Sequence, residues 1–111
     1  MTAQSDRLAA EYFETGTLSG LPRDHFIDGH WSPPQHGRMM ETFDPGLGRA
    51  YHAFSAGDAD DVATAVEAAV RAGPGWARTR PAARGAVLAR TAALLREEAP
   101  RLAVIESLDS G

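Results

Sequence analysis

The chain has no cysteine among its 111 residues. That absence excludes a thiolate nucleophile, a Cys-ligated zinc or iron–sulfur site and any disulfide. Lysine is missing too, which removes a catalytic amine, and all 11 basic residues are arginine. Asparagine is also absent, whereas alanine fills 21 positions, a bias of the kind a GC-rich genome leaves. Positive charge is scarce: 11 basic side chains face 15 acidic ones, for a net charge of -4 and a pI near 5.5. This balance argues against nucleic acid or an anionic membrane as partner. No apolar run approaches the roughly 18–20 residues that cross a bilayer. Residues 1–10 carry Asp6 and Arg7, with no apolar stretch behind them to serve as a signal-peptide core. A soluble, cytoplasmic protein is expected.

The length allows one small domain or a piece of a larger one. Hydrophobic residues make up 43% of the chain, but much of that count is alanine, which buries little area, so an independent core would be thin.

Punctuation along the chain divides it into a leader, two hairpins and helices. In residues 1–24, Leu8, Ala9, Tyr12 and Phe13 have helical spacing before Gly16, Gly20 and Pro22 interrupt it, which predicts a short leader helix. The segment His25-Phe26-Ile27-Asp28-Gly29-His30-Trp31 places apolar pairs on either side of Asp-Gly, the signature of a tight hairpin. A second hairpin is expected from residues 40–43 and 49–54, joined by Asp44-Pro45-Gly46-Leu47-Gly48. Beyond Gly57 the period changes. Val62, Val66 and Val70 recur every four residues beside Ala65 and Ala69, behind a cluster of Asp58, Asp60 and Asp61, so the spacing predicts a helix over 59–72 stopped by Gly73. Pro74-Gly75-Trp76 reads as a connection, with Trp76 anchored between helices. Pro81 opens a helix with Leu88, Ala92 and Leu95 on its apolar face. Pro100 opens another of about eight residues, whose buried side is Leu102, Val104, Ile105 and Leu108. Such a short closing helix with no element after it suggests a cut chain.

Spacing alone assembles no catalytic constellation. His25, His30, His36 and His52 fall in or beside the strands without an i,i+4 helical pair or a Cys partner, so solvated or hairpin-edge histidines are expected rather than a metal site. Asp58, Asp60 and Asp61 fit helix capping better than cation binding. The glycines of Gly46-Leu47-Gly48 and Gly73-Pro74-Gly75 do not open a helix after a strand in the phosphate-loop pattern, and both read as turns. None of the serines sits in a nucleophile-elbow context.

The order of the elements carries more than any one motif. Phe26-Ile27-Asp28-Gly29-His30-Trp31, Glu41-Thr42-Phe43-Asp44-Pro45-Gly46-Leu47-Gly48, Asp61-Val62-Ala63-Thr64-Ala65-Val66 with Ala68-Ala69 and Trp76, Pro81-Ala82-Ala83-Arg84 with Leu88, and Glu106-Ser107-Leu108-Asp109-Ser110-Gly111 follow one another at compatible spacing. Together they resemble the N-terminal portion of the NAD(P)-dependent aldehyde dehydrogenase superfamily. There the same landmarks run as a Phe-Ile-Asn-Gly-like hairpin, a Thr-Ile-Asn-Pro-like turn, a Val-x-x-Ala-Val helix, a lone Trp, an Arg-containing helix and a Glu-Thr-Leu-Asp-Thr-Gly-Lys-Pro-like close. Asp28, Phe43, Asp44, Ser107 and Ser110 depart conservatively from that pattern.

The resemblance implies an α/β parent with a Rossmann-like cofactor-binding domain. Of it, this chain supplies a leader over 1–24, and over 25–111 an incomplete N-terminal part comprising two β-hairpins and about three α-helices. It implies a parent that oxidises an aldehyde to a carboxylic acid with NAD or NADP. In that reaction a Cys thiolate forms a thiohemiacetal and a Glu activates water. It implies as partners the rest of the aldehyde dehydrogenase chain and further copies in a homo-oligomer. It also implies a structural Na+ or K+ held by the carbonyls of Thr42 and Phe43 and by Asp109, oxygen donors that suit hard cations. With no Cys, this chain alone is expected to be inactive. The rival expectation is a stand-alone helical interaction module that keeps the scaffold without the chemistry.

Overall fold

A computed structural model describes residues 3–111. α1 (Ala3–Thr15) is followed by β1 (His25–Ile27), β2 (His30–Ser32), β3 (Met39–Asp44), β4 (Arg49–Ser55), α2 (Ala59–Arg78), α3 (Pro81–Glu97) and α4 (Ala99–Ser110). The strands form two separate antiparallel pairs, β1 with β2 and β3 with β4. Each is a hairpin at the place the turn residues mark. Asp28 and Gly29 both take positive φ, 54° and 80°, as a two-residue turn matched to strand twist requires.

The second hairpin is irregular. Thr42 faces His52 but Phe43 faces Ala50, so Tyr51 is an extra residue opposite the Thr42–Phe43 step. Asp44 fixes the turn by accepting from the amides of Gly46 (2.7 Å) and Leu47 (3.1 Å). A backbone bond from Ser55 to the Arg23 carbonyl (2.8 Å), together with His52 donating to Pro22 (2.8 Å), ties the leader to β4.

α2 starts with a capping box. The Asp58 carboxylate accepts from the amides of Asp60 and Asp61, while Asp61 accepts from the amide of Asp58. The helix does not stop at Gly73; it continues through Pro74, Gly75 and Trp76 to Arg78. Pro74 is exposed, so the Val70 carbonyl that loses its amide partner there can turn to water. The final turn is held by Thr79, whose amide donates to Trp76 and whose hydroxyl donates to Gly75. Gly73-Pro74-Gly75 is therefore helix interior and not a turn. Trp76 lies inside α2 and is 46% exposed, so it is not a buried anchor in a connection between helices.

α4 is also longer than its spacing suggested, 12 residues, because Pro100 occupies its first turn and Asp109 and Ser110 extend its last. Gly111 ends it at φ 79°, close enough to Pro45 that an added Cβ would lie 3.0 Å from that ring.

The core lies where α1 and α4 meet the second hairpin. Tyr12, Leu18 and Tyr51 are its buried centre, with Leu8, Leu21, Ile105 and Leu108 packed around them. Tyr12 and Tyr51 meet edge to face with ring centroids 6.1 Å apart. Elsewhere the apolar stripes are uncovered. α2 turns its small side, Ala65, Ala68, Ala69 and Ala72, toward the first hairpin and leaves Val62, Val66 and Val70 more than half exposed. α3 buries no residue at all. The accessible surface is 7827 Å², about a third above the roughly 5,900 Å² that a compact monomer of this mass exposes. The radius of gyration is 17.4 Å, against about 13 Å for a compact chain of this length.

Candidate functional site

The residues with site-like geometry gather at the bulge. β3 presents Thr42 and Asp44 on one face, two positions apart, and the inserted Tyr51 of β4 projects between α1 and α4. From the last turn of α4, Asp109 reaches this face. Its Oδ1 accepts from the Thr42 hydroxyl at 2.5 Å and from the Tyr51 hydroxyl at 3.1 Å. Burial and the adjacent Asp109 push the Tyr51 phenol above its ordinary value.

One step along β3, Asp44 accepts from the Tyr12 hydroxyl at 2.6 Å in a buried setting. That bond, with the Leu47 and Gly46 amides and the Arg49 charge, holds the Asp44 carboxyl below the usual carboxylate range, and the same bond together with burial holds Tyr12 above the usual phenol range against the opposing Arg49 charge. The Arg49 guanidinium lies 5.5 Å from the centre of the Tyr12 ring, in cation–π range.

Of the three expected cation-site residues, the structure thus brings Thr42 and Asp109 into direct contact, with Phe43 next in the strand and 53% exposed. Both hydroxyls bond Oδ1 of Asp109. Sequence reasoning missed Tyr51, Tyr12 and Asp44 as members of this cluster. Asp44 carried a signal as the residue before Pro45. The bulge that delivers Tyr51 has no sequence signature here.

The histidines do not converge. His30 bonds the Asp28 carbonyl within its own turn, His52 bonds Pro22, and His25 and His36 approach different aspartates of α2. Asp58 and Asp61 cap α2 through their carboxylates, whereas the Asp60 carboxylate lies 3.6 Å from His36. Ser107 and Ser110 bond back to the carbonyls of Ala103 and Glu106 one helical turn earlier, so neither is poised as a nucleophile.

For a dinucleotide the fit is negative. Gly46 and Gly48 lie in a hairpin turn and Gly73 and Gly75 inside α2, so no strand runs through a glycine-rich loop into a helix among the described residues. No described helix is long and apolar enough to cross a membrane.

Fold and site together show hairpins and helices knit by hydroxyl–carboxylate bonds, with broad apolar faces exposed. Comparison with known proteins gives the lineage. The family model described as "Aldehyde dehydrogenase family" matches residues 31–111, and the chain belongs to that family. Among its relatives are a "Probable aldehyde dehydrogenase" of Streptomyces coelicolor, 40% identical over 106 residues, which cover 95% of this chain and 21% of that protein. The "Hydroxyisobutyraldehyde dehydrogenase" of Mycolicibacterium austroafricanum is 38% identical, over 88% of this chain and 19% of its own length. The "Fluoroacetaldehyde dehydrogenase" of Streptantibioticus cattleyicolor is 39% identical, over 85% and 19%. The chain spans about a fifth of the length of the curated relatives it matches.

Proposed function

We propose that this chain is a scaffold element of an NAD(P)-dependent aldehyde dehydrogenase, the first part of its Rossmann-like cofactor-binding domain, and that it is inactive by itself. The observation that carries the reading is a family match over most of the chain combined with the absence of any cysteine in it. A thiohemiacetal needs a thiolate, and neither a hydroxyl bonded back into its own helix nor a capping carboxylate replaces one. The role left to these residues is positional. α1 and α4 hold the second hairpin through Asp44 and Asp109, and the open faces of α2 and α3 receive the remainder of the enzyme, which works in the cytoplasm as a homo-oligomer. Thr42 and Phe43 through their carbonyls and Asp109 through its carboxylate would hold a Na+ or K+, whose charge would fasten α4 to β3 without taking part in the reaction. No residue of this chain is assigned to NAD or NADP.

The test is a coupled one. The purified 111-residue chain is supplied with NAD+ or NADP+ and small aldehydes, hydroxyisobutyraldehyde and fluoroacetaldehyde among them, and absorbance at the reduced-nicotinamide band is followed. No turnover is expected. Aldehyde-dependent reduction of the cofactor by the chain alone would overturn the reading.

A further inference from the structure

Outside the bulge, the densest set of titratable side chains lies where the segment between β2 and β3 meets the first turn of α2. Gln35 docks there through three bonds: its amide donates to Asp61 Oδ1 (2.9 Å), and its side-chain amide donates to the Asp60 carbonyl (3.1 Å) and the Thr64 hydroxyl (2.8 Å). His36 follows with both ring nitrogens turned to carboxylates. Nδ1 lies 2.6 Å from Asp58 Oδ2 and Nε2 lies 3.6 Å from Asp60 Oδ2. From the other side His25 of β1 brings Nε2 to 3.7 Å from Asp61 Oδ2, and that nitrogen is closed off from solvent without a hydrogen-bond partner among the described residues. Farther along α2, Arg71 pairs with Asp28 at the tip of the first hairpin (3.1 Å).

A neutral imidazole has one N–H and one lone pair, so it cannot offer a proton to two carboxylates at once; only the imidazolium has a donor on each side. Nδ1–H bonds Asp58 in either protonation state, whereas a second proton on Nε2 adds charge attraction to both Asp58 and Asp60, so the contact is strongest with the charged ring. We propose that His36 is a proton-operated clasp, tightening the 33–37 segment against the start of α2 while the ring is charged and loosening it when the ring loses its second proton.

The groups facing the clasp set its working range. Asp58, by hydrogen bond and charge, and then Asp60 and Asp61 by charge, raise the proton affinity of His36 above the ordinary imidazole value. The His36 bond in turn holds the Asp58 carboxyl below its ordinary value. A raised histidine contributes fully below its unfolded value of about 6.5, and the contribution is lost as pH rises through the folded value. A depressed aspartate contributes above its unfolded value of about 3.9, and that is lost as pH falls through the folded one. The clasp is therefore closed below the unfolded imidazole value of about 6.5 and opens as pH rises through the raised folded value. With the clasp open, the bond from the Gln35 amide to Asp61 Oδ1 breaks more often, while Asp61 Oδ2 keeps the Asp58 amide, so opening loosens the segment without unwinding the cap.

The experiment follows the His36 ring by NMR in the full chain from pH 5 to 9, together with hydrogen exchange of the Gln35 amide corrected for its intrinsic rate. His36 should titrate above the unfolded value, and Gln35 protection should fall by about two- to fivefold across that titration, the range of an exposed ion pair. The step should vanish in His36→Gln. In Asp58→Asn, which keeps a capping oxygen but no charge, the ring should titrate nearer its ordinary value and the step should shrink. Titration of His36 at or below the unfolded value, flat Gln35 protection, or an unchanged step in either variant would each overturn the proposal. Far-ultraviolet circular dichroism establishes that each variant is folded, and Asp58→Asn decides alone if His36→Gln is not.

Discussion

Replacing Tyr12 by phenylalanine removes one oxygen from the middle of the core and nothing else. The ring is 1% exposed, and its edge-to-face contacts with Tyr51 and Phe13 need no hydroxyl. What is lost is the 2.6 Å bond to Asp44, donated to a charged acceptor away from water. Hydrogen bonds to charged groups contribute about 1.5–3 kcal/mol. At the average unfolding entropy per residue, one kcal/mol in a chain of this length shifts the melting temperature by about 4 °C. Tyr12→Phe should therefore melt about 6–13 °C below the parent at neutral pH.

The pH dependence supplies a second, independent reading. Asp44 has a depressed carboxyl, so its contribution is present above the unfolded value and is lost as pH falls through the folded value. The gap between parent and variant should thus be full at pH 5–8 and close as Asp44 protonates, with the acid midpoint of the variant at higher pH. Thermal melts of both proteins by circular dichroism, repeated from pH 2 to 8, measure this. A variant within 2 °C of the parent at pH 7, or a gap of constant size down to pH 2, would refute the argument.

Two further substitutions probe the backbone. Gly16 ends α1 at φ 74° with the Arg49 guanidinium 3.2 Å from where a Cβ would stand, so Gly16→Ala should cost about 1–2 kcal/mol from the left-handed conformation, read by denaturant titration. Pro74→Ala should do the opposite. It restores an amide donor to Val70 at an exposed position in the middle of α2 and should stabilise the chain by about 2 kcal/mol, after the unfolded-state entropy that proline removes is allowed for. A destabilised Pro74→Ala would mean that the helix breaks at Gly73 after all.

The hairpins were legible because their turns are chemically specific: Asp28-Gly29 and the Asp44-Pro45-Gly46 run leave few alternative backbone conformations. The start of α2 was legible for the same reason, since three aspartates ahead of a periodic segment match free amides. Its end was not. Glycine and proline at 73–75 signal a stop in local terms, and on an exposed face the helix tolerates them at a cost that no local pattern displays. Which face of α2 would be covered was not legible either. The valines carry the stronger hydrophobic signal, yet the first hairpin packs against the alanines, whose small size allows strand and helix to approach. In the bulge cluster, Thr42 and Asp109 came from the family resemblance, whereas Tyr51 and Tyr12 could not be placed, since their positions depend on a register shift and on contacts between distant elements.

The packing of α1 against α4 sets an order of events during synthesis. Thr15 and Ala99 are 84 residues apart, so at ordinary rates of translation about 4–17 s pass between the appearance of the first helix and that of its partner. During that interval Leu8, Tyr12 and Phe13 have only the second hairpin to meet. α1 is therefore secured only after α4 has been made, and a ribosome that pauses before Ala99 leaves it waiting without that partner.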